Sequence, residues 1–147
     1  MKDTTRIEGI ARWHLLFGLA FAGLGMLLGI YMAISHNHGE MPAHAHIMLL
    51  GFVVSTLYAI VYRLWLKTAG ARLAMLQTAF HEVGAVVLGL GLVIMFSGAA
   101  SEASVEPILA VGSLSALAGV LLMIYQVLRV GMAERARSPD AVLPGAV

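Results

Sequence analysis

The sequence contains no cysteine and few charged residues. Without cysteine the chain can form neither disulfides nor thiolate metal sites, and it cannot attach a c-type haem through a Cys-x-x-Cys-His motif. Any bound metal would have to be held by histidine, methionine, carboxylate or tyrosine side chains. Only 12% of the residues are charged and the formal net charge is +1. Nucleic-acid binding is not expected, because it requires a basic footprint.

Hydrophobic residues make up 60% of the 147 positions, more than a soluble domain of this size could hide from water. A helix needs about 20 mostly apolar residues to cross the hydrocarbon core of a bilayer. The sequence shows no alternating strand pattern. Pro107 suits the first turn of the fourth predicted helix. We therefore predict an all-α fold, a single membrane domain of four transmembrane helices, with spans at about 13–35, 44–66, 73–98 and 108–130 and a cytoplasmic tail at 131–147.

The basic residues predict how the four spans are oriented. All nine fall on one side of the membrane in this topology, whereas Glu40, Glu102 and Glu106 fall on the other side. Because Lys and Arg are enriched in cytoplasmic loops, both termini are predicted to be cytoplasmic, in a multi-pass protein of a bacterial inner membrane. The same rule places Trp13, Tyr62 and Trp65 in an aromatic belt at the inner interface. The nine basic residues are Lys2, Arg6, Arg12, Arg63, Lys67, Arg72, Arg129, Arg135 and Arg137.

Small residues recur in the spans at helical spacing. Gly112 and Ala116 are four apart in the fourth span, and the third span contains Gly84, Gly89 and Gly91. Helices in lipid associate through close packing at such positions, so these residues predict helix contacts. The pattern does not distinguish contacts within one chain from contacts between chains.

Four of the six histidines cluster at the predicted outer end of the first two spans: His36, His38, His44 and His46. Residues two apart on a helix differ by roughly 200°, so His44 and His46 point to nearly opposite faces at almost the same depth. One helix cannot direct both at a single metal, but it can offer one ligand to each of two neighbours. The alternative is a pair of surface histidines hydrogen-bonded to water and loop backbone.

The other two histidines, His14 and His81, lie toward the predicted inner side, and His81 precedes Glu82, the only acidic residue within a predicted span. Ionisable groups inside a membrane are costly and are candidates for function. Three interpretations are open. His81 and Glu82 neutralise each other or bind the backbone of a neighbouring helix, or they form a second ligand site with His14, which should lie at a similar depth, or they form a proton-transfer element.

The stretch His36–Phe52 resembles the tenth helix, and the loop before it, of the catalytic subunit of haem-copper oxidases. Ala43, His44 and His46 match that family's Ala-His-x-His, and Pro42-x-His44 also looks like the start of its second helix. The resemblance implies that His44 and His46 ligate the iron of haem b, one haem on each face of the helix. Asn37 stands where the family often has a metal-binding aspartate, so a magnesium site is not expected.

The family subunit has twelve helices in three similar arcs of four around a pseudo-threefold axis. The resemblance therefore implies a homotrimer of this chain, although a dimer is the simpler oligomer. Each haem would lie between two subunits, bound by His46 of one subunit and His44 of the next, with His36 or His38 near its propionates. This sequence has neither an adjacent histidine pair nor a His-Tyr element for a copper centre, so oxygen reduction by the chain alone is not expected.

Three classes of function follow. The first is a bis-His b-type haem protein for electron transfer or for redox or gas sensing, exchanging electrons with a respiratory-chain partner; two imidazoles leave no open position on the iron. The second is a copper- or zinc-binding protein, since imidazole suits both metals. The third is a non-catalytic accessory or assembly subunit of a respiratory complex. An oxidoreductase of the haem-copper oxidase type, turning over oxygen or nitric oxide, would require one labile axial ligand.

Overall fold

Four long helices and the turns between them make up the structure, a computed structural model that describes residues 2–137, with side chains from residue 4. They are α1 (Lys2–Ser35), α2 (Met41–Leu64), α3 (Ala71–Phe96) and α4 (Glu102–Arg137). Each is long and apolar enough to cross a membrane, and the described residues contain no strand. The prediction of an all-α protein with four transmembrane helices is confirmed.

All four helices begin before the predicted spans, α2 and α3 by two or three residues and α1 and α4 by more than a turn. Helix α1 starts at Lys2, and Ile7 and Ala11 pack into the core although charged residues flank them. Helix α4 starts at Glu102, so Pro107 lies inside the helix and the prediction that it occupies the first turn is wrong. Of the predicted tail, residues 131–137 continue α4, and residues 138–147 lie outside the described part of the chain.

Helix α2 changes its hydrogen-bonding pattern midway. It is α-helical over Met41–His46, π-helical over Ile47–Val54 and α-helical again over Ser55–Leu64. A π-helical stretch is rare and is frequently found at functional sites. Here it begins directly after the His-x-His pair.

The bundle has two chemically different ends. We call the end formed by the α1–α2 turn and the α3–α4 turn the histidine end, because it carries His36, His38, His44 and His46. We call the opposite end, where α1 begins, α2 and α4 end and α3 begins, the basic end. An ion pair at the basic end joins α1 to α2, with Arg63 Nη1 2.9 Å from Glu8 Oε1.

Glycines allow the helices to approach closely. A methyl group at Gly84 would lie 2.5 Å from the backbone nitrogen of Ala116, and one at Gly112 would lie 2.7 Å from the backbone nitrogen of Leu88. The small residues of the third and fourth spans thus make contacts within one chain. Helix α1 packs on α2 in the same way, since a methyl at Gly18 would lie 2.9 Å from Thr56 Oγ1.

Large apolar side chains cover the outside of the bundle. Leu27 on α1 is 64% exposed and Leu114 on α4 is 66% exposed, and similar residues occur along all four helices. An exposed apolar surface of this extent is stable only in contact with lipid or another protein. The protein is therefore a multi-pass membrane protein.

Two of the three residues of the predicted aromatic belt are exposed on the bundle surface. Trp13 and Trp65 are 56% and 61% exposed, as interfacial aromatics should be. Tyr62 is fully buried, so its placement in the belt is wrong. Its hydroxyl instead bonds two glutamines inside the bundle, which gives a buried phenol the partners it needs.

Candidate functional site

His36 and His38 lie in the turn at the histidine end. Helix α1 ends at Ser35, and His36 has a φ of 53°, in the left-handed region that commonly terminates helices. Both side chains are exposed, and neither hydrogen-bonds to another described residue. They are free to reach a group outside the chain.

His44 faces α1 from the first turn of α2. Its Nδ1 lies 3.0 Å from the carbonyl oxygen of Gly25, to which it donates. The ring is half-buried, and a methyl group at Gly29 would lie 3.2 Å from its Cε1. Gly29 thus leaves the space for this imidazole, and the backbone carbonyl of Gly25 fixes its orientation.

His46 faces outward from the same turn. It is exposed, and its Nδ1 lies 2.8 Å from the carbonyl oxygen of Pro42, one turn earlier on the same helix. Exposed Leu49 and Val53 follow it on α2 at helical spacing. The imidazole therefore stands at one end of an apolar outward-facing stripe.

The two imidazoles share a chemical state. A ring nitrogen that bonds a carbonyl must carry the proton, so in each neutral ring Nδ1 is the donor and Nε2 holds the lone pair. Neither Nε2 atom bonds another described residue, and Nε2 of half-buried His44 is not enclosed. Metal-ligating histidines commonly have this arrangement, with the second nitrogen held by a carbonyl.

The four histidines of this end do not converge on one another. Within residues 4–137, no three His, Asp or Glu side chains are placed to hold one metal ion. A copper or zinc site built by one chain from His36, His38, His44 and His46 would need such convergence. A haem ligand does not, because each imidazole can bind a different iron.

Glu40 also belongs to the histidine end, at the start of α2. Its side chain is buried, and its Oε2 has no hydrogen-bond partner among the described residues. Loss of hydration raises the pKa of this carboxyl above its ordinary value. The sequence pattern indicates only that Glu40 lies on the outer side and does not predict its burial.

The second candidate region lies inside the bundle toward the basic end, where the structure brings His14, His81 and Glu82 together. Both rings are fully buried, with centroids 5.8 Å apart. His14 Nδ1 is 3.7 Å from Glu82 Oε1. The juxtaposition expected from their depth is present, although the three groups do not form a metal-holding set.

Polar side chains from α2, α3 and α4 surround His14. Its Nε2 is 3.0 Å from Thr78 Oγ1 and 3.3 Å from Gln77 Oε1. Gln126 Nε2 donates to Tyr62 Oη at 3.0 Å, and Tyr62 donates in turn to Gln77 Oε1 at 2.9 Å. These five residues, together with His81, Glu82 and Ser55, are called the buried polar cluster: His14, Tyr62, Gln77, Thr78, Gln126, His81, Glu82 and Ser55.

His81 occupies the other side of the cluster. Its Nε2 lies 2.8 Å from Ser55 Oγ, at the first residue after the π-helical stretch. The ring of Tyr58 meets it edge-on, with centroids 4.8 Å apart. A methyl group at Gly119 would lie 3.0 Å from the His81 backbone, so α4 closes over this histidine.

Sequence reasoning missed Gln77, Gln126, Tyr62, Thr78 and Ser55. A signal was available, because a glutamine inside a membrane span must find a partner within the protein. Neither glutamine, however, indicates which residue it bonds.

No protein-family model, curated protein or solved structure matches this chain. The resemblance to haem-copper oxidases therefore stays a prediction that depends on the stretch His36–Phe52.

Proposed function

We propose that this protein is a membrane-embedded b-type haem protein that carries or senses electrons, with His44 and His46 as axial ligands of the iron. The observation that carries the proposal is the state of the two rings: each is held through Nδ1 by a backbone carbonyl and leaves Nε2 unbound. A surface histidine pair serving only solubility has no need of two matched carbonyl contacts.

The residues present fit a haem. The exposed stripe of His46, Leu49 and Val53 offers an imidazole followed by apolar side chains, which suits a porphyrin face. His36 and His38 are unengaged at the same end and suit the polar propionates. When bound, the haem would supply one-electron chemistry, and two imidazole ligands would leave the iron no open position for oxygen.

If both rings are axial ligands of bis-His haems, their opposed directions favour ligation between two copies of the chain. His44 is turned toward α1, whereas His46 faces outward, so one subunit cannot place both on one iron. Ligation by His46 of one copy and His44 of the next is a head-to-tail contact, and such contacts close into rings. A homotrimer would reproduce the twelve helices of the oxidase subunit that the sequence resembles.

In the proposed orientation the basic end faces the cytoplasm of a bacterium and the histidine end faces outward. All nine basic residues support this direction, because cytoplasmic loops are enriched in Lys and Arg. The haems would lie near the outer surface of the inner membrane, within reach of a respiratory-chain redox partner.

The primary experiment is an absorbance spectrum of the detergent-purified protein, oxidised and dithionite-reduced, with pyridine haemochrome analysis. We expect a sharp reduced α-band and protoporphyrin haem, both lost in His44→Ala and in His46→Ala. Glu102→Gln, an exposed residue at the same end that has no part in the proposed site, is the control and should keep the α-band. A colourless protein from cells with ample haem would refute the proposal and direct attention to copper and zinc analysis.

Ligation between subunits has its own test. A His44→Ala subunit still offers His46, and a His46→Ala subunit still offers His44. Co-expression of the two variants should therefore restore haem at about one quarter of the interfaces in randomly mixed rings, although each variant alone binds none. No recovery in mixed oligomers, verified by native mass spectrometry, would contradict haem sharing. The native mass spectra also give the number of subunits and therefore distinguish a trimer from a dimer.

A further inference from the structure

Two buried acceptor atoms face each other in the polar cluster without a donor between them. His14 Nδ1 and Glu82 Oε1 are 3.7 Å apart, both are enclosed, and neither has a hydrogen-bond partner among the described residues. Glu82 Oε2, in contrast, accepts from Trp13 Nε1 at 2.7 Å. The unsatisfied side of the carboxyl is therefore the side turned toward His14.

The hydrogen-bond pattern fixes the tautomer of His14. Thr78 Oγ1 lies 2.9 Å from the carbonyl oxygen of Ala74 and donates its only proton there. The same hydroxyl must then accept from His14 Nε2, 3.0 Å away, so Nε2 carries a proton. A neutral His14 consequently presents a bare lone pair at Nδ1 toward Glu82.

An ionised Glu82 beside a neutral His14 is an unfavourable state. It would leave two unbonded acceptors, His14 Nδ1 and Glu82 Oε1, facing each other away from water, beside a negative charge with no cationic partner, and both cost free energy. A water molecule between the atoms fits poorly, since two bonds of about 2.8 Å from one water hold their acceptors about 4.5 Å apart. One additional proton removes the problem, either as imidazolium with carboxylate or as imidazole with carboxylic acid.

We propose that His14 and Glu82 form an intramembrane proton-binding site that holds one proton between them and exchanges it with water at the basic end. No arginine or lysine forms an ion pair with Glu82 among the described residues, so the proton is what balances its charge. The titratable groups around the pair are Arg6 on α1, Tyr58 and Tyr62 on α2 and His81 on α3, whereas α4 contributes the neutral Gln126.

A groove between α1 and α3 provides the route to the site. It has a volume of about 680 Å³ and is lined by Arg6, Gly9, Trp13, Thr78 and Glu82, among others. It leads from the basic end to the carboxyl of Glu82, and His14 lies behind that carboxyl. A proton can therefore reach the pair from one side of the membrane. The site does not depend on haem, so it can fail or succeed independently of the proposed function.

The direct test measures the protonation of both partners at neutral pH in the protein as purified. Histidine-selective ¹⁵N NMR reports whether His14 Nδ1 is bare, and infrared spectra report whether a buried carboxylic acid is present. We expect either a His14 imidazolium or a carboxylic-acid band of Glu82. A neutral His14 with bare Nδ1 beside an ionised Glu82 would overturn the proposal.

Variants assign the signals. Glu82→Gln should remove the imidazolium or the carboxylic-acid band while still offering a carboxamide donor to Nδ1, so the bundle should fold. Glu82→Asp, with a shorter carboxyl, is the second variant and should weaken the same signal. Glu8→Gln is the matched control, because Glu8 also faces the basic end but is exposed and paired with Arg63. Persistence of the signal in Glu82→Gln would assign it elsewhere and refute the site.

The route is tested by closing the groove. Gly9 lines it, and a Cβ added there meets no atom within 4 Å, so Gly9→Leu introduces a large side chain at the groove without a clash at its Cβ. This variant should slow the deuterium exchange of the His14–Glu82 signal several-fold. Gly23→Leu on the same helix also has open space and lies away from the groove, so exchange should be unchanged. Equal exchange in both variants would refute access through the groove.

Discussion

The two pairs of histidines in this protein differ in which ring nitrogen is engaged. At the histidine end, His44 and His46 bond backbone carbonyls through Nδ1 and leave Nε2 open to their surroundings. In the buried polar cluster, His14 and His81 bond side chains through Nε2, and Nδ1 is unpartnered and enclosed. An open Nε2 can bind a metal that arrives from outside the chain, whereas an enclosed Nδ1 has room only for a proton or a small hydrogen-bond donor.

The supporting contacts differ in the same way. Backbone carbonyls hold the outer rings, and these carbonyls belong to helices that form regardless of the histidines. The inner rings are held by hydroxyl and amide side chains that depend on one another. Gln126, for example, donates a hydrogen bond to Tyr62, which in turn donates to Gln77. We therefore expect substitutions at the histidine end to change ligand binding with little loss of stability, and substitutions in the cluster to do the reverse.

The largest effect should come from Gly29→Ala. The new methyl group would lie 3.2 Å from His44 Cε1, tighter than ordinary contact, so the imidazole must shift by a few tenths of an ångström, which strains its bond to the carbonyl of Gly25. Loss of such a supporting contact typically weakens metal binding about 10–100-fold. Haem titration followed by absorbance measures the effect. Gly23→Ala, where the methyl meets no atom within 4 Å, should bind haem like the parent.

If both alanine variants bound haem equally well, the orientation of His44 would not affect haem binding. The proposed difference between the histidine end and the buried polar cluster would then not hold for the histidine end. The infrared and NMR signals of the buried polar cluster should be unchanged in Gly29→Ala, since the substitution lies at the opposite end of α1.

Tyr62→Phe should have the next largest effect, on stability rather than on haem. Removing the hydroxyl leaves Gln126 Nε2 without a side-chain acceptor and Gln77 Oε1 without its closest donor. A buried group left unsatisfied costs about 1–3 kcal/mol, and hydrogen bonds within membranes lie toward the low end of that range. Unfolding in mixed detergent micelles should show the loss. The haem spectrum of the folded fraction should not change.

The matched control for this variant is Tyr125→Phe on α4. Tyr125 is 53% exposed, so its hydroxyl can be replaced without leaving a buried partner. Equal stability of the two phenylalanine variants would show that the bonds of Tyr62 contribute nothing, and the buried polar cluster would then be ordinary packing.

Hydropathy predicted the four helices because lipid demands long apolar segments whatever their partners. It missed the first turns of α1 because charges alternate there with the buried residues Ile7 and Ala11. The opposed directions of His44 and His46 followed from helical periodicity alone. These features are local, and local geometry can be derived from the sequence.

The buried polar cluster could not be derived in this way. The hydroxyl of Tyr62 and the amide of Gln126 are 64 residues apart, and their bond depends on how α2, α3 and α4 pack. Depth along the helices suggested that His14 and His81 lie at one level, but not that Thr78 would fix the tautomer of His14. The carbonyl contacts of His44 and His46 could not be predicted either. The contact of His44 depends on glycines of α1, and the contact of His46 depends on a side-chain rotamer.

The smallest of the three effects concerns Glu40, the buried carboxyl of the histidine end. Burial raises its pKa, so the folded protein holds this proton more tightly than the unfolded chain does. The resulting stability is present at low pH and declines as the pH rises from the ordinary carboxyl value through the raised pKa. Glu40→Gln cannot ionise, so its thermal midpoint should exceed that of the parent above this range and match it below.

Thermal unfolding of the haem-free protein from acidic to neutral pH tests the predicted direction of this pH dependence. Glu102→Gln is the control, because Glu102 is exposed at the same end and its curve should follow the parent. A Glu40→Gln curve that runs parallel to the parent at every pH would mean that Glu40 is hydrated in the folded protein. The histidine end would then be open to water up to the start of α2, and the contrast with the enclosed buried polar cluster would be sharper still.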